Sequence, residues 1–311
     1  MKIKDNFIAP RKVRLCYSIT GISSLAGIED YTEGIYNGNP DEDYCIAQKR
    51  QHEYLLDELG AGPGFKLLEV GCGLGTLLKV ARGRGVNATG ITISEDQWIR
   101  CRAQGLEVLL VNYKNLPSDW KGRFDGIIAN GALEHFCQPE DAAAGLQDSI
   151  YQSMFRIFFS LLNPASACRK LVTTAIHFRG IPVPPEKFLN NPLLQIFDKT
   201  GLNFSILHRG YGGYYPKEGQ LKHCASGVFD MLHEADGTLD YRFTTEEWYR
   251  KFSRVYLHNL RFNKALFRHF MLNPIHTLWF MASFIGPASQ LWQFRGDPPP
   301  VLHLRHTWQA V

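Results

Sequence analysis

The sequence predicts an α/β protein built on a doubly wound, mostly parallel sheet. Short apolar runs alternate with helix-patterned segments from Lys66 to Phe178, the rhythm that parallel crossovers require. The first of those runs also breaks into glycines just before a helix, at Gly71-Cys72-Gly73-Leu74-Gly75.

Residues 1–60 are rich in Tyr, Gly and Asp and end in the helix-patterned IAQKRQHEYLLDELG, so an N-terminal cap is expected there. KLLEV reads as the first strand and TLLKVARGRG as its helix, then VNATGITIS as the second strand and EDQWIRCRAQG as its helix. LEVLLVNY, FDGIIANGA and RKLVTTAIHF follow as three more strands, giving a core over 61–178. After Phe178 the rhythm changes. Prolines, glycines and aromatics fill 179–236 before DYRFTTEEWYRKF restores a helix, so 179–295 is expected as an insertion with helices over the site. LHLRHTWQAV alternates like a strand and, within 296–311, is expected to close the sheet as an antiparallel edge. No Asp, Glu, Lys or Arg falls between Arg268 and Arg295, where IHTLWFMASFIG lies. Pro274, Gly286 and Pro287 confine that apolar run below the length of a membrane span. A buried helix and a surface touching lipid or a greasy ligand both fit it.

With 45% apolar and 21% charged residues the chain has the means to bury a core, and a net charge of +4 is too small to argue for nucleic acid. Seven cysteines without a CxxC pair argue against a disulfide framework or zinc site, and no apolar leader opens the chain. A cytoplasmic protein with no metal is expected.

The glycine loop has the spacing GxGxG with Glu69 on the strand before it, not the GxGxxG of dinucleotide sites, and lacks the Lys-Ser/Thr of a P-loop. Such a loop suits a ligand without phosphates, such as the methionine part of S-adenosylmethionine. Ser94 and Gln97 match a capping box, a plainer role than ligand contact.

Together these segments resemble the cyclopropane fatty acid synthase and mycolic acid methyltransferase family. The family's GCGWG is GCGLG here, and its G-V-T-hydrophobic-S-x-x-Q is GITISEDQ. Its D-Y-R-D-L becomes Asn112-Tyr113-Lys114-Asn115-Leu116, and its Glu-His pair is Glu134-His135. Its N-terminal Y-S-C-A-Y-F is matched by Tyr31-Thr32-Glu33-Gly34-Ile35-Tyr36, and a later D-Y by Asp240-Tyr241. The resemblance implies a Rossmann-like sheet of seven strands, S-adenosylmethionine as cofactor and a hydrophobic or lipid acceptor; peripheral contact with a membrane is a further expectation, from the small positive charge and the apolar run before Arg295. It implies cofactor contacts from Tyr31, Thr32, Glu69, Gly71, Gly73, Thr92, Gln97, Asn112 and Tyr113, and catalytic roles for Glu134, His135, Tyr241 and Glu33.

Departures bear on the chemistry. The family methylates an alkene and removes a proton with a bound bicarbonate, held by a Cys-bearing loop, a Glu, a His and a Tyr. Here Glu33 stands at the Cys position and Thr173 at the expected His, with His177 four residues on. A carboxylate would repel a bound anion, so the bicarbonate site is expected to be lost or altered, with Glu33 or Glu134 itself as base. Each has a plainer reading: Glu33 as a surface loop residue, His135 as a cap, Tyr241 as a core tyrosine. C-methylation of an unsaturated hydrophobic acceptor is the leading expectation. An N- or O-methyltransferase of a small metabolite and a cofactor-binding protein without catalysis are the rivals.

Overall fold

A computed structural model describes residues 11–285 and 288–311. The first ten residues of the expected cap lie outside the described residues, as do Gly286 and Pro287. Seven strands form one sheet: β1 (Lys66–Val70), β2 (Asn87–Thr92), β3 (Glu107–Leu110), β4 (Gly126–Asn130), β5 (Lys170–Phe178), β6 (Phe229–Asp236) and β7 (Val301–Ala310). Their order is β3-β2-β1-β4-β5-β7-β6. The first five run parallel to one another, while β7 is antiparallel to both β5 and β6. The chain winds outward from β1 to β3 and then returns to β4. The strand ends therefore splay apart between β1 and β4, where open sheets of this kind form a crevice.

Helices cover both faces. In the first half they are α1 (Arg11–Ser23), α2 (Tyr44–Leu59), α3 (Thr76–Gly83), α4 (Glu95–Ala103), α5 (Pro139–Ala143) and α6 (Gln147–Leu161). In the second half come α7 (Pro185–Leu189), α8 (Lys199–Tyr211), α9 (Gln220–Ala225), α10 (Thr238–His258), α11 (Leu260–Leu272), α12 (Pro274–Phe284) and α13 (Ser289–Trp292). Local chemistry sets several boundaries. Asp43 caps α2 by accepting from the amides of Cys45 and Ile46, and Gly60 ends it in the left-handed region at φ 66°. Ser94 caps α4 as its sequence predicts. Gln97 does not complete the box; its Oε1 instead accepts from Thr92 Oγ1 at 2.8 Å.

The C-terminal strand differs from expectation. β7 is an inner strand, and the edge is β6, drawn from the segment expected to be an insertion. The reason is burial: nine of the ten β7 residues are buried, so its backbone needs partners on both sides. β6 exposes Asp230, Glu234 and Asp236, charged side chains that suit a sheet edge. The alternation in β7 marks polar side chains that are buried and neutralised, not a solvent face. Arg305 Nε donates to Glu33 Oε1 at 2.9 Å, and its Nη2 donates to Asp240 Oδ2 at 2.7 Å. His303 Nε2 lies 3.1 Å from the other Glu33 oxygen.

Losing one partner of such a cluster strands the rest as unpaired buried charge. Arg305→Met should therefore cost about 3–5 kcal/mol in urea unfolding, and Arg305→Met with Glu33→Leu should recover more than half of that.

Candidate active site

Three adjoining cavities open at the carboxyl ends of β1, β2 and β4. The first is lined by Thr32, Glu69, Gly71, Gly73, Gln97 and Asn130, among others. The second is lined by Gly71, Thr92, Gln97, Asn112, Tyr113 and Phe136. Every residue expected to touch the cofactor lines one of these two, and Tyr31, in the first, lines the third as well. Alternation along β1 and β2 brings Glu69 and Thr92 to the rim. Gly71 takes φ 79°, and a Cβ there would press within 3.0 Å of Ala132 Cβ. Tyr113 stacks on Phe136 at 4.2 Å, and its buried hydroxyl has no protein partner.

Glu69 is buried, and its Oε2 likewise has no protein partner. Burial, with the nearby charge of Asp30 adding to it, raises its carboxyl well above the usual range. An orphaned acceptor beside an open glycine loop, with an apolar slot past Thr92, fits a ligand bearing hydroxyl and ammonium donors at one end and a flat base at the other. S-adenosylmethionine is such a ligand.

The third cavity is lined by Tyr31, Glu134, His135, Ile176, Phe188 and Tyr241 among a largely aromatic wall. Glu134 sits on the turn after β4, and its Oε1 accepts from the Ile176 amide at 2.7 Å. Its Oε2 has no protein partner. Burial pushes its pKa from 4.5 up to about 7, opposed only by its own amide and that of Ile176. Gly213 fixes the turn from behind. With φ 88°, a Cβ at that position would meet the Glu134 carbonyl oxygen at 2.1 Å. His135 lines both the second and third cavities, its ring edge-on to Tyr17 at 5.3 Å. Burial lowers its pKa to about 4, which leaves it neutral at neutral pH. Tyr241 donates to the Tyr31 carbonyl at 3.3 Å and stacks on Phe294 at 4.4 Å.

Two expectations fail here. Glu33 is neither a surface loop residue nor a carboxylate in the cavity: it is wholly buried, paired with Arg305, and lines none of the three spaces. Arg305 offsets part of its charge, though burial still raises its pKa, and Glu33 lies behind the cavity wall instead of in the site. Thr173 and His177 also point away. Thr173 accepts from Trp308 Nε1 at 3.0 Å in the core, and His177 packs against His306. The next residue along, Thr174, faces the strand ends, accepting from the Gly131 amide at 2.9 Å and donating to Asn130 Oδ1 at 2.8 Å.

Sequence reasoning missed Tyr17, which lines all three cavities from α1. The available signal was Val13, Cys16 and Ile19, apolar at three-residue spacing and all buried. It also missed Asn130, Tyr215 and Leu207, whose neighbours in space are distant in sequence.

The model of the family described as mycolic acid cyclopropane synthetase matches residues 28–272. Cyclopropane mycolic acid synthase 2 of Mycobacterium tuberculosis is 32% identical over 131 residues, covering 40% of this chain and 42% of that protein. The chain thus aligns with less than half the length of that relative. Among solved structures, the cyclopropane synthase MmaA2 from Mycobacterium tuberculosis superposes with a TM-score of 0.72 at 16% identity, covering 98% of this chain and 100% of that one. Mycolic acid cyclopropane synthase CmaA1 complexed with SAH and CTAB gives 0.68 at 20% identity, covering 97% and 99%. At these identities the likeness shows a shared fold. With its glycine loop, strand order and family match together, the chain belongs to the mycolic acid cyclopropane synthetase family of class I S-adenosylmethionine-dependent methyltransferases.

Proposed function

We propose that this protein methylates a carbon of an unsaturated, hydrophobic acceptor, a fatty acyl or isoprenoid-like chain, in the third cavity. The observation that carries this is Glu134: among the described residues it is the one carboxylate lining that cavity, with a free oxygen and a pKa near 7. S-adenosylmethionine, when bound, supplies an electrophilic methyl group. Glu69, Thr92 and Gln97 with the glycine loop would hold it in the first two cavities, and Tyr17, His135 and Tyr31 form the border the two ligands share. Alignment at that border contributes much of the acceleration.

An alkene that takes a methyl at one carbon carries positive charge at the next. The faces of Tyr17, Tyr31, Tyr211, Tyr215 and Tyr241 suit such a charge. Neutral His135 adds no repulsion. The Glu134 Oε2 then takes a proton either from a carbon next to the cationic centre, whose C–H electrons form a new double bond, or from the added methyl group, whose C–H electrons form the bond to the cationic carbon that closes a three-membered ring. No bicarbonate is needed in this scheme, because Glu134 already occupies the Ile176 amide with one oxygen and offers the other. A polar metabolite, the rival acceptor, would call for charged anchors, and the wall is mostly aromatic and aliphatic.

Incubation with methyl-labelled S-adenosylmethionine, a lipid extract and a polar extract tests the proposal. Label carbon-bound in the lipid fraction is expected; label confined to polar metabolites would overturn the acceptor class. Glu134→Gln should lower turnover by about 10²–10⁴-fold while binding of S-adenosylhomocysteine, read by calorimetry, stays unchanged. Wild-type turnover should rise with pH through about 7, as Glu134 loses its proton.

The same group makes a stability prediction. A carboxyl with a raised folded-state pKa contributes most below its unfolded value of 4.5, and that contribution is lost as pH rises through about 7. Glu134→Gln should therefore be more stable than wild type at about pH 8, by up to ~3 kcal/mol, and the gain should shrink toward about pH 4. Gly213→Ala displaces the Glu134 turn and should cut kcat with little change in cofactor affinity.

A further inference from the structure

The first cavity is acidic. Glu29, Asp30 and Glu69 border it, and among the described residues no Lys or Arg does. Glu69 is 4% exposed, and its Oε2 has no protein partner. Asp30 stands in the segment between α1 and α2, directly before Tyr31 and Thr32. Its Oδ1 accepts from Thr76 Oγ1 on the first residue of α3, immediately after the glycine loop. Its Oδ2 lies 3.4 Å from His52 Nε2 on α2. The resemblance that picked out Glu69, Tyr31 and Thr32 did not pick out Asp30.

Two carboxylates drawn together away from water repel one another, and a cation placed between them relieves the repulsion. Asp30 is near enough to Glu69 for its charge to help hold that carboxyl above the usual range. Glu33 and Asp240 meet a guanidinium where they are buried, whereas no cation of the chain reaches Glu69. The ligand must supply it. An ammonium carries three donors and no acceptor, so one such group can be shared between two carboxylates. We infer that Asp30, together with Glu69, seats the α-ammonium of the cofactor's amino-acid end. Asp30 then does two things at once: it ties the N-terminal segment to the start of α3, and it presents charge to the ligand. The site selects ligands that carry the amino group over adenosine derivatives that lack it. The inference rests on the placement of the cofactor in the first two cavities and does not depend on which acceptor is methylated.

The test is calorimetric binding of two ligands to the full chain. One is S-adenosylhomocysteine; the other is its deamino analogue, which keeps the carboxylate and the adenosine. Asp30→Asn retains an oxygen for Thr76 and removes only the charge. It should weaken S-adenosylhomocysteine on the order of tenfold and leave the analogue changed by less than about twofold. Adding Glu69→Gln should erase most of the wild-type preference for the ligand with the amino group. Circular dichroism would establish that each variant is folded. Equal weakening of both ligands by Asp30→Asn would overturn the inference, because Asp30 would then act only by tying the segment to α3. So would unchanged affinity for both, or a wild-type chain that binds the two equally. A wild-type chain that binds neither would overturn it together with the cofactor's placement.

Discussion

Arg305 is buried midway along β7, and a buried guanidinium must be neutralised where it lies. Glu33 and Asp240 do so from segments far apart in the chain, and much of the site follows from that requirement. Glu33 follows Tyr31 and Thr32 directly, so fixing its carboxylate fixes the loop that lines the first cavity. Asp240 precedes Tyr241 at the head of α10 and also accepts from the Tyr36 amide at 2.8 Å. The cluster thus clasps the N-terminal segment, α10 and β7 together. It explains how β7 carries Arg305 through the interior without unpaired charge.

The same desolvation serves a different end at Glu134. There no cation is supplied; one backbone amide meets one oxygen and the other is left bare. A carboxyl so placed holds its proton until about pH 7, which costs stability at neutral pH and leaves a group ready to accept a proton. Burial raises the pKa of both buried glutamates, and they differ in whether a cation stands beside them. Glu33 is compensated and structural, and Glu134 is uncompensated and faces the cavity. The close approach of Gly213 keeps the second in place, since no other residue leaves room for the Glu134 carbonyl.

What could be read in the sequence was local. Five parallel strands follow from apolar runs with turn and helix patterns between them, and the glycine loop from three glycines at fixed spacing. Gly71 and Gly73 stood out by their spacing, while Thr92, Gln97, Asn112 and Tyr113 were named only because their segments resemble the family's; each lies at or just past the end of a strand.

The rest was decided by the tertiary structure. Glu33 and Arg305 are separated by 272 residues, and nothing near Glu33 in the chain signals that a cation will meet it. Thr173 and Thr174 are chemically identical, and only the pairing of β5 with β7 decides which one faces Trp308 and which one faces the strand ends. The alternation of β7 looked like an edge because polar residues in a strand normally face water; here they face buried carboxylates. Local pattern determines which segments become strands and helices, since backbone periodicity is a property of neighbours. Long-range packing alone determines which buried charges find partners, and so which glutamate is left free to act.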